Sequence, residues 1–290
     1  MSWEEAEEEW KIFLENVTRA RVALGCSKSN AWFRGHANSR EYRLLLHLLR
    51  RPDRPDSDLK DKNARHLLRY TGEREAFIEY GFRRGGRISS WEQLAEMQHH
   101  GIPTRMLDWT ENLSIALYFA VEHFLVQQKK FWNSAKHSQL EHKRYRCRFY
   151  YPSRSLPMPS VWVLNPYRLS EFSTKKTTVW DFTVDPEFDY YQRYLKHQNW
   201  EYSSPAPMFS PWRSSRIAAQ NGMFTVWGGD KRALDEIVGS RIVKEIPLSR
   251  KAAVYACWQL VNVFCIDAYQ LFRDLDTLSA KLKNEFLPKH

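Results

Sequence analysis

The stretch from residue 98 to residue 124 constrains the fold most, because it predicts a helix end, a strand and a second helix in immediate succession. Gly101 and Pro103 end the first helix, since glycine is common just after a helix and proline cannot continue one. The short, mostly apolar run from Met106 to Trp109 predicts the strand. The second helix follows a polar turn, and its apolar residues recur at the spacing of one buried face: Leu113, Ala116, Leu117, Ala120, Val121 and Phe124.

Polar side chains crowd the joint between this strand and the second helix. Asp108 or Thr110 is expected to cap the first turn of the helix, and Asp108 can alternatively pair with Arg105. Thr110 and Asn112 are also candidates for ligand contact, because free backbone N–H groups at a helix start can hold ribose or phosphate oxygens. Since loops held by a rigid scaffold often carry function, we expect chemistry at this joint.

Two histidines end the first helix. His99 or His100 can act as a base, donate hydrogen bonds or interact with the helix dipole, and a buried histidine that donates to a carbonyl is the structural alternative. Because no cysteine or third ligand lies nearby in the sequence, the pair does not predict a zinc site, and we expect no metal.

Two shorter polar clusters lie far from this joint in the sequence. In Phe33-Arg34-Gly35 the arginine ends a predicted strand, where it can bind phosphate or ribose oxygens through its forked guanidinium or pair with a surface carboxylate. Residues 216–222 predict a turn in which Gly222 takes a positive φ. Gln220 can hold an amide or a base edge, or the turn can be structural only.

The remaining pattern predicts an α+β fold of small, mostly antiparallel sheets surrounded by helices. Helices are expected at residues 3–24, 64–81, 91–100 and 254–287, strands at 31–35, 160–166 and 241–246, a polar loop at 52–63 and a long irregular region at 170–215. The length of 290 residues suits one large domain or two tightly joined ones.

Charge and aromatic content favour a nucleic-acid partner. The net charge of +10 attracts polyanions, and aromatic side chains can stack on unpaired bases. Both features concentrate at about residues 127–160, and the alternative for this segment is a solvated helix and loop. Its candidate contacts with nucleic acid are Lys129, Lys130, Lys143, Arg144, Arg146 and Arg148.

Several classes of protein are disfavoured. With only 11 glycines and no G-x-x-x-x-G-K-[ST] or G-x-G-x-x-G motif, a P-loop or Rossmann site is not expected, and G-x-S-x-G and H-E-x-x-H are missing too. No apolar run approaches the length of a membrane-spanning helix. The four cysteines lack metal-ligand spacing, so we expect mainly buried free thiols and a cytoplasmic location.

Three segments together resemble the FRG domain, a family named after its Phe-Arg-Gly motif. They are residues 33–35, residues 99–120 with H-H-G-I-P-T-R-M-L-D-W-T-x-N, and residues 216–224 with R-x-x-x-Q-x-G-x-F. The closing stretch from Ile266 to Leu282 is similar to the family's last helix. The resemblance implies a single domain over residues 1–290 with its core at about 31–283, the N-terminal helix at 3–24 and an insertion at about 127–160.

The motif order also resembles, more faintly, that of ADP-ribosyltransferases. That resemblance implies that Arg34, next to Gly35, contacts the ribose and phosphates of NAD. It also implies that Thr110 is the second residue of the NAD site and that Tyr118 or Phe119 walls the nicotinamide pocket. Gln220 falls where a catalytic glutamate is expected. His99 or His100 could then accept the proton, with Asn112 as a further NAD contact.

FRG proteins occur in toxin–antitoxin and phage-defence settings, so the resemblance implies a toxin or defence effector. We expect it to transfer ADP-ribose from NAD to nucleic acid, with RNA preferred over DNA because stacking suits unpaired bases. The alternatives are a binding module or an NAD-independent nuclease. An inhibitory antitoxin would carry an acidic surface.

Overall fold

The structure of the protein is a computed structural model that describes residues 2–27, 30–40, 43–50, 62–132, 156–181, 189–196, 202–210 and 215–286. Lys143, Arg144, Arg146 and Arg148 lie outside the described residues, as do Cys147 and most of the predicted loop at 52–63.

Six strands form one antiparallel sheet, which confirms the predicted α+β class but replaces the expected small sheets by a single larger one. The order in the sheet is β4-β5-β2-β1-β3-β6. The strands are β1 (Trp32–His36), β2 (Met106–Thr110), β3 (Ser160–Leu164), β4 (Ala206–Phe209), β5 (Gly222–Val226) and β6 (Val243–Pro247).

Helices surround this sheet. They are α1 (Trp3–Ala23), α2 (His47–Arg50), α3 (Lys62–Arg84), α4 (Ser90–His99), α5 (Leu113–Ala120), α6 (Glu122–Trp132), α7 (Pro166–Thr174), α8 (Ser215–Ala219), α9 (Leu234–Val238), α10 (Arg250–Asn262), α11 (Ala268–Phe272) and α12 (Leu275–Phe286). The region at 170–215, predicted to be irregular, contains the end of α7, a π-helical turn at Tyr191–Lys196 and β4, so that prediction was wrong in part.

The core lies on both faces of the sheet. On one face, Phe33, Val161 and Val163 pack against buried residues of α1, α5 and α10. On the other face, Trp32 and Trp162 belong to a second apolar cluster. Because both faces of the sheet are covered, all five residues of β3 are buried.

The pairing of β1 differs sharply between its two neighbours. It pairs with β3 along five residues but with β2 only where Phe33 faces Thr110. The middle of the sheet is therefore joined at one point, and the backbones of β1 and β2 are not paired beyond it. This gap positions the candidate site.

The described cysteines are free thiols in different surroundings. Cys257 is buried, Cys26 is half-buried and Cys265 is exposed. The prediction of buried thiols is therefore right for Cys257 and wrong for Cys265, which lies in the loop after α10 with a φ of 51°.

Candidate functional site

A cleft of about 220 Å³ opens where β1 and β2 separate, and it brings together the three segments that the sequence singled out. Its walls come from β1, β2, β5, α4, α5 and α8. The predicted site residues that line it are Arg34, Gly35, His99, Thr110, Phe119 and Gln220.

Arg34 bridges the gap between the two strands. Its Nη1 donates to the carbonyl oxygen of Asp108 at 2.6 Å, and its Nε donates to Nε2 of the buried His36 at 3.2 Å. Burial lowers the pKa of Arg34, although the nearby Asp108 carboxylate opposes that shift. Arginine still stays protonated, so the cleft holds a fixed positive charge. Among the described residues, no hydrogen-bond partner faces its Nη2.

The glycine of the motif serves packing. A Cβ on Gly35 would lie 1.9 Å from the carbonyl oxygen of Ala116 and 2.6 Å from the amide nitrogen of Ala120. Helix α5 therefore lies directly against the backbone of β1, and only glycine fits at this contact. Gly35 also lines the cleft, where the sequence predicted a cofactor contact.

Asp108 takes neither of its predicted structural roles. Its side chain is 52% exposed and lines the cleft, with Oδ2 accepting from Gln98 Nε2 at 3.0 Å and lying 3.7 Å from Arg34 Nη1. The cap of α5 is Asn112, whose Oδ1 accepts from the amide of Ser114. Asp108 cannot cap α5, because the four residues from Trp109 to Asn112 lie between it and the helix.

Arg105 pairs elsewhere. Its Nη2 lies 2.6 Å from Glu73 Oε2, and both side chains are fully buried. The hydroxyl of Tyr190 donates to the same carboxylate at 2.8 Å. The predicted Asp108–Arg105 pair was wrong, because Arg105 pairs with Glu73, a buried carboxylate of α3 that lies far from the joint in the sequence.

The hydroxyl of Thr110 is engaged within the protein. Its Oγ1 donates to the carbonyl oxygen of Gln220 at 2.7 Å and accepts from the amide of Asn112 at 3.1 Å. Thr110 therefore fastens the turn before α5 to the turn after α8, and it does not cap the helix as predicted. Gln220 Nε2 donates to the carbonyl oxygen of Leu271, and within the described chain its Oε1 has no donor.

A second arginine completes the cleft. Arg216 Nη1 donates to the carbonyl oxygen of His99 at 3.3 Å, and its guanidinium lies 4.6 Å from the ring centre of Phe272. Burial lowers the pKa of Arg216, and burial together with Arg216 lowers that of His99. The lowered pKa favours the neutral form of His99, and the two arginines make the cleft attractive to anions.

Residues 29–130 match the model of the family described as the FRG domain. This part of the chain is therefore similar to the FRG domain. The predicted recognition is thereby confirmed, with a match over a shorter range than the resemblance implied. No curated protein and no solved structure matches the chain.

The matched FRG region supplies most of the cleft, but not all of it. Arg34, Asp108 and Phe119 lie within residues 29–130, whereas Arg216 and Gln220 lie well beyond them. The fold therefore adds the turn at 216–222 to a site whose other walls belong to the matched segment.

Several predicted site residues lie away from the cleft. His100 follows α4 and stacks on His99 with ring centres 4.8 Å apart, outside the cleft lining. Asn112 lines a separate cavity on the side of α1, and Tyr118 is buried in the core. Lys129 and Lys130 are exposed in the last turn of α6.

Sequence reasoning passed over Gln98 and Arg216 and gave Asp108 a structural role. Strand periodicity could have found Asp108, because residues two apart share one face, and Thr110 was already a candidate. No signal in the sequence places Arg216 beside His99, because the two residues belong to separate helices, α4 and α8, that only the tertiary fold brings together.

Two further observations bear on ligands and location. Within the described residues, no group of three or more histidine, cysteine or acidic side chains could hold a metal ion. None of the described helices combines the length and the apolar character that crossing a membrane requires.

Proposed function

We propose that this protein transfers ADP-ribose from NAD to nucleic acid, with RNA preferred. The observation that carries the proposal is the convergence of Arg34, Gln220 and Phe119 on one cleft, although the sequence separates them widely. Each offers a group that NAD requires: a cation for phosphate oxygens, an acceptor for a ribose hydroxyl and an aromatic edge for the nicotinamide ring.

Two hydrogen-bonding atoms of the cleft that have no partner within the described chain support this assignment. Arg34 Nη2 and Gln220 Oε1 have no partner among the described residues, so both can bind a ligand without breaking a contact inside the protein. Buried or half-buried polar groups are normally hydrogen-bonded, and such open positions favour a ligand site.

The size of the cleft sets how the dinucleotide would lie. About 220 Å³ is below the roughly 300–1,000 Å³ of pockets that enclose a drug-sized ligand. The nicotinamide and its ribose would occupy the cleft, and the adenosine half would extend from its mouth.

The net charge of +10 supports a polyanionic acceptor. We propose a toxin or phage-defence effector, neutralised by a partner with an acidic surface that covers the cleft or the basic segment at about 127–160. Expression of the wild-type chain alone should then be toxic, and Arg34→Ala should relieve the toxicity.

The central experiment incubates the purified chain with NAD and with single-stranded RNA, single-stranded DNA or duplex DNA. Mass spectrometry should detect one added ADP-ribose on RNA, together with released nicotinamide. Arg34→Ala should lower the rate at least about 100-fold, and Arg34→Lys should not restore it, because lysine lacks the fork.

The matched control is Arg83→Ala, which removes an exposed arginine of α3 that pairs with Glu79. It should retain the wild-type rate. A folded wild-type protein that consumes no NAD and modifies none of the nucleic acids would refute the proposal. RNA cleavage without NAD would instead identify a nuclease, and tight RNA binding without turnover a binding module.

A further inference from the structure

Gln220 leaves a chemical requirement unmet. Breaking the bond between nicotinamide and ribose builds positive charge on the sugar, and the incoming nucleophile must lose a proton. An amide can do neither, since it carries no charge and does not accept protons near neutral pH. A carboxylate in the cleft would meet both requirements, whereas the imidazole of His99 could accept the proton but offers the sugar no negative charge.

Asp108 is the one carboxylate among the described residues that line the cleft. Its side chain is 52% exposed, so a ligand can reach it. Within the described chain the side-chain hydrogen bond to Asp108 is accepted by Oδ2, and Oδ1 has no donor there. On these grounds we propose that Asp108 is the catalytic carboxylate of the reaction, an inference that rests on the proposed function.

A short chain of hydrogen bonds holds this carboxylate in place. The amide of Met106 donates to Thr104 Oγ1 at 3.2 Å, so the single hydroxyl proton of Thr104 is available to donate to Gln98 Oε1 at 2.6 Å. The amide group of Gln98 must then present its nitrogen to Asp108, at 3.0 Å from Oδ2. Thr104, at the inner end of this chain, is fully buried, so the chain starts from a side chain that water does not reach.

The surrounding charges suit the role. Arg34 Nη1 lies 3.7 Å from Asp108 Oδ2, so a fixed positive charge stands beside the carboxylate group. Arg34 and Arg216 can face the phosphates while Asp108 faces the sugar. Fixed charges of both signs, arranged before the reaction, are the usual source of electrostatic catalysis.

The step conserves atoms and electrons. The C–N bond between ribose and nicotinamide breaks, and its electron pair stays on the ring nitrogen, which becomes neutral. A lone pair of the acceptor atom on the nucleic acid forms the new bond to the same ribose carbon. The proton of the acceptor passes to Asp108 Oδ1 and from there to water.

The test compares the wild type with Asp108→Asn, Asp108→Glu and the control Asp276→Asn. Asp276 is exposed in the first turn of α12 and does not line the cleft. Calorimetry measures NAD binding, and nicotinamide release measures turnover. Asp108→Asn should lower kcat at least about 100-fold with Kd for NAD within about threefold, whereas Asp276→Asn should change neither.

Asp108→Glu keeps the charge but lengthens the side chain, and it should retain more turnover than Asp108→Asn. An Asp108→Asn variant that keeps a wild-type kcat overturns the inference and leaves the proposed function intact. Loss of NAD binding in this variant also overturns it, because Asp108 would then be a binding residue. A wild type that turns over no NAD refutes the proposed function and this inference together.

Discussion

Replacing Gly35 by alanine adds one methyl group at the contact between β1 and α5. The new carbon would meet the carbonyl oxygen of Ala116 at 1.9 Å, whereas real Cβ atoms essentially never approach closer than 3.0 Å. The strand and the helix must therefore separate by about 1 Å. Both contacting atoms are backbone, so no side-chain rotation can relieve the clash.

The cost follows from what the separation disturbs. Ala116 and Ala120 are each 1% exposed, and α5 carries buried residues into the core shared with α1 and α10. Overpacking of a tight core costs typically 1–3 kcal/mol and sometimes more. Since backbone must move here, we expect a loss of about 3 kcal/mol, a large part of the 5–15 kcal/mol that stabilises a typical protein.

Gly72→Ala is the matched control. Gly72 lies within α3 and is exposed, and apart from the adjoining backbone of its own helix no atom lies within 4 Å of the position that the added methyl group would take. Alanine is the better helix former, so this variant should gain up to about 1 kcal/mol. The same chemical change should thus have opposite signs at the two positions.

Urea denaturation followed by tryptophan fluorescence measures both variants. The two free energies of unfolding should differ by about 4 kcal/mol, the sum of the two expected effects. A Gly35→Ala variant as stable as the wild type would show that α5 is not seated on β1 as described. Equal destabilisation at both positions would show that local contacts do not decide the effect.

Three other outcomes are expected. Glu73→Gln should destabilise the fold by about 3–5 kcal/mol, because it leaves the buried arginine uncompensated, whereas Glu79→Gln in an exposed pair should cost well under 1 kcal/mol in the same urea titration. A thiol reagent should label the exposed Cys265 in the native protein and should label Cys257 only on unfolding, because Cys257 is buried and its burial raises the pKa of its thiol. Peptide mapping of the labelled protein identifies which cysteine has reacted. A hydrogen bond from Arg232 lowers the folded-state pKa of Asp230. The contribution of Asp230 to stability is therefore present above about pH 5, where an unfolded aspartate is ionised, and is lost as the pH falls through the lowered pKa. Thermal unfolding of Asp230→Asn should accordingly depend less on pH between those limits.

Local patterns predicted the elements around the joint well. The helix before Gly101 and the strand from Met106 lie within a residue or two of their expected bounds. The second helix begins at Leu113 as expected but ends at Ala120, so Phe124, predicted on the same helix, belongs to α6 instead. Each signal is local: a glycine with a φ of 77°, a short apolar run and an apolar helix face. Such features act through the backbone of neighbouring residues, so one segment suffices to predict them.

Features that depend on distant partners could not be predicted in the same way. The carboxylate that pairs with Arg105 comes from α3, and the sheet order places β1 between β2 and β3. The turn before β5 also misled the prediction, because Asn221 carries the positive φ, at 45°, while Gly222 already begins the strand. Asparagine tolerates that conformation, so the glycine was not needed for it.

The Phe-Arg-Gly motif is best understood as three residues with three separate tasks. Phe33 is buried in the core and pairs with Thr110 at the point where β1 and β2 join. Arg34, one residue on, reaches across the gap to the carbonyl oxygen of Asp108 and charges the cleft. Gly35 allows α5 to lie close enough to wall that cleft. Loss of the glycine should therefore impair folding, whereas loss of the arginine should impair chemistry in a folded protein, and comparing the two variants separates these tasks.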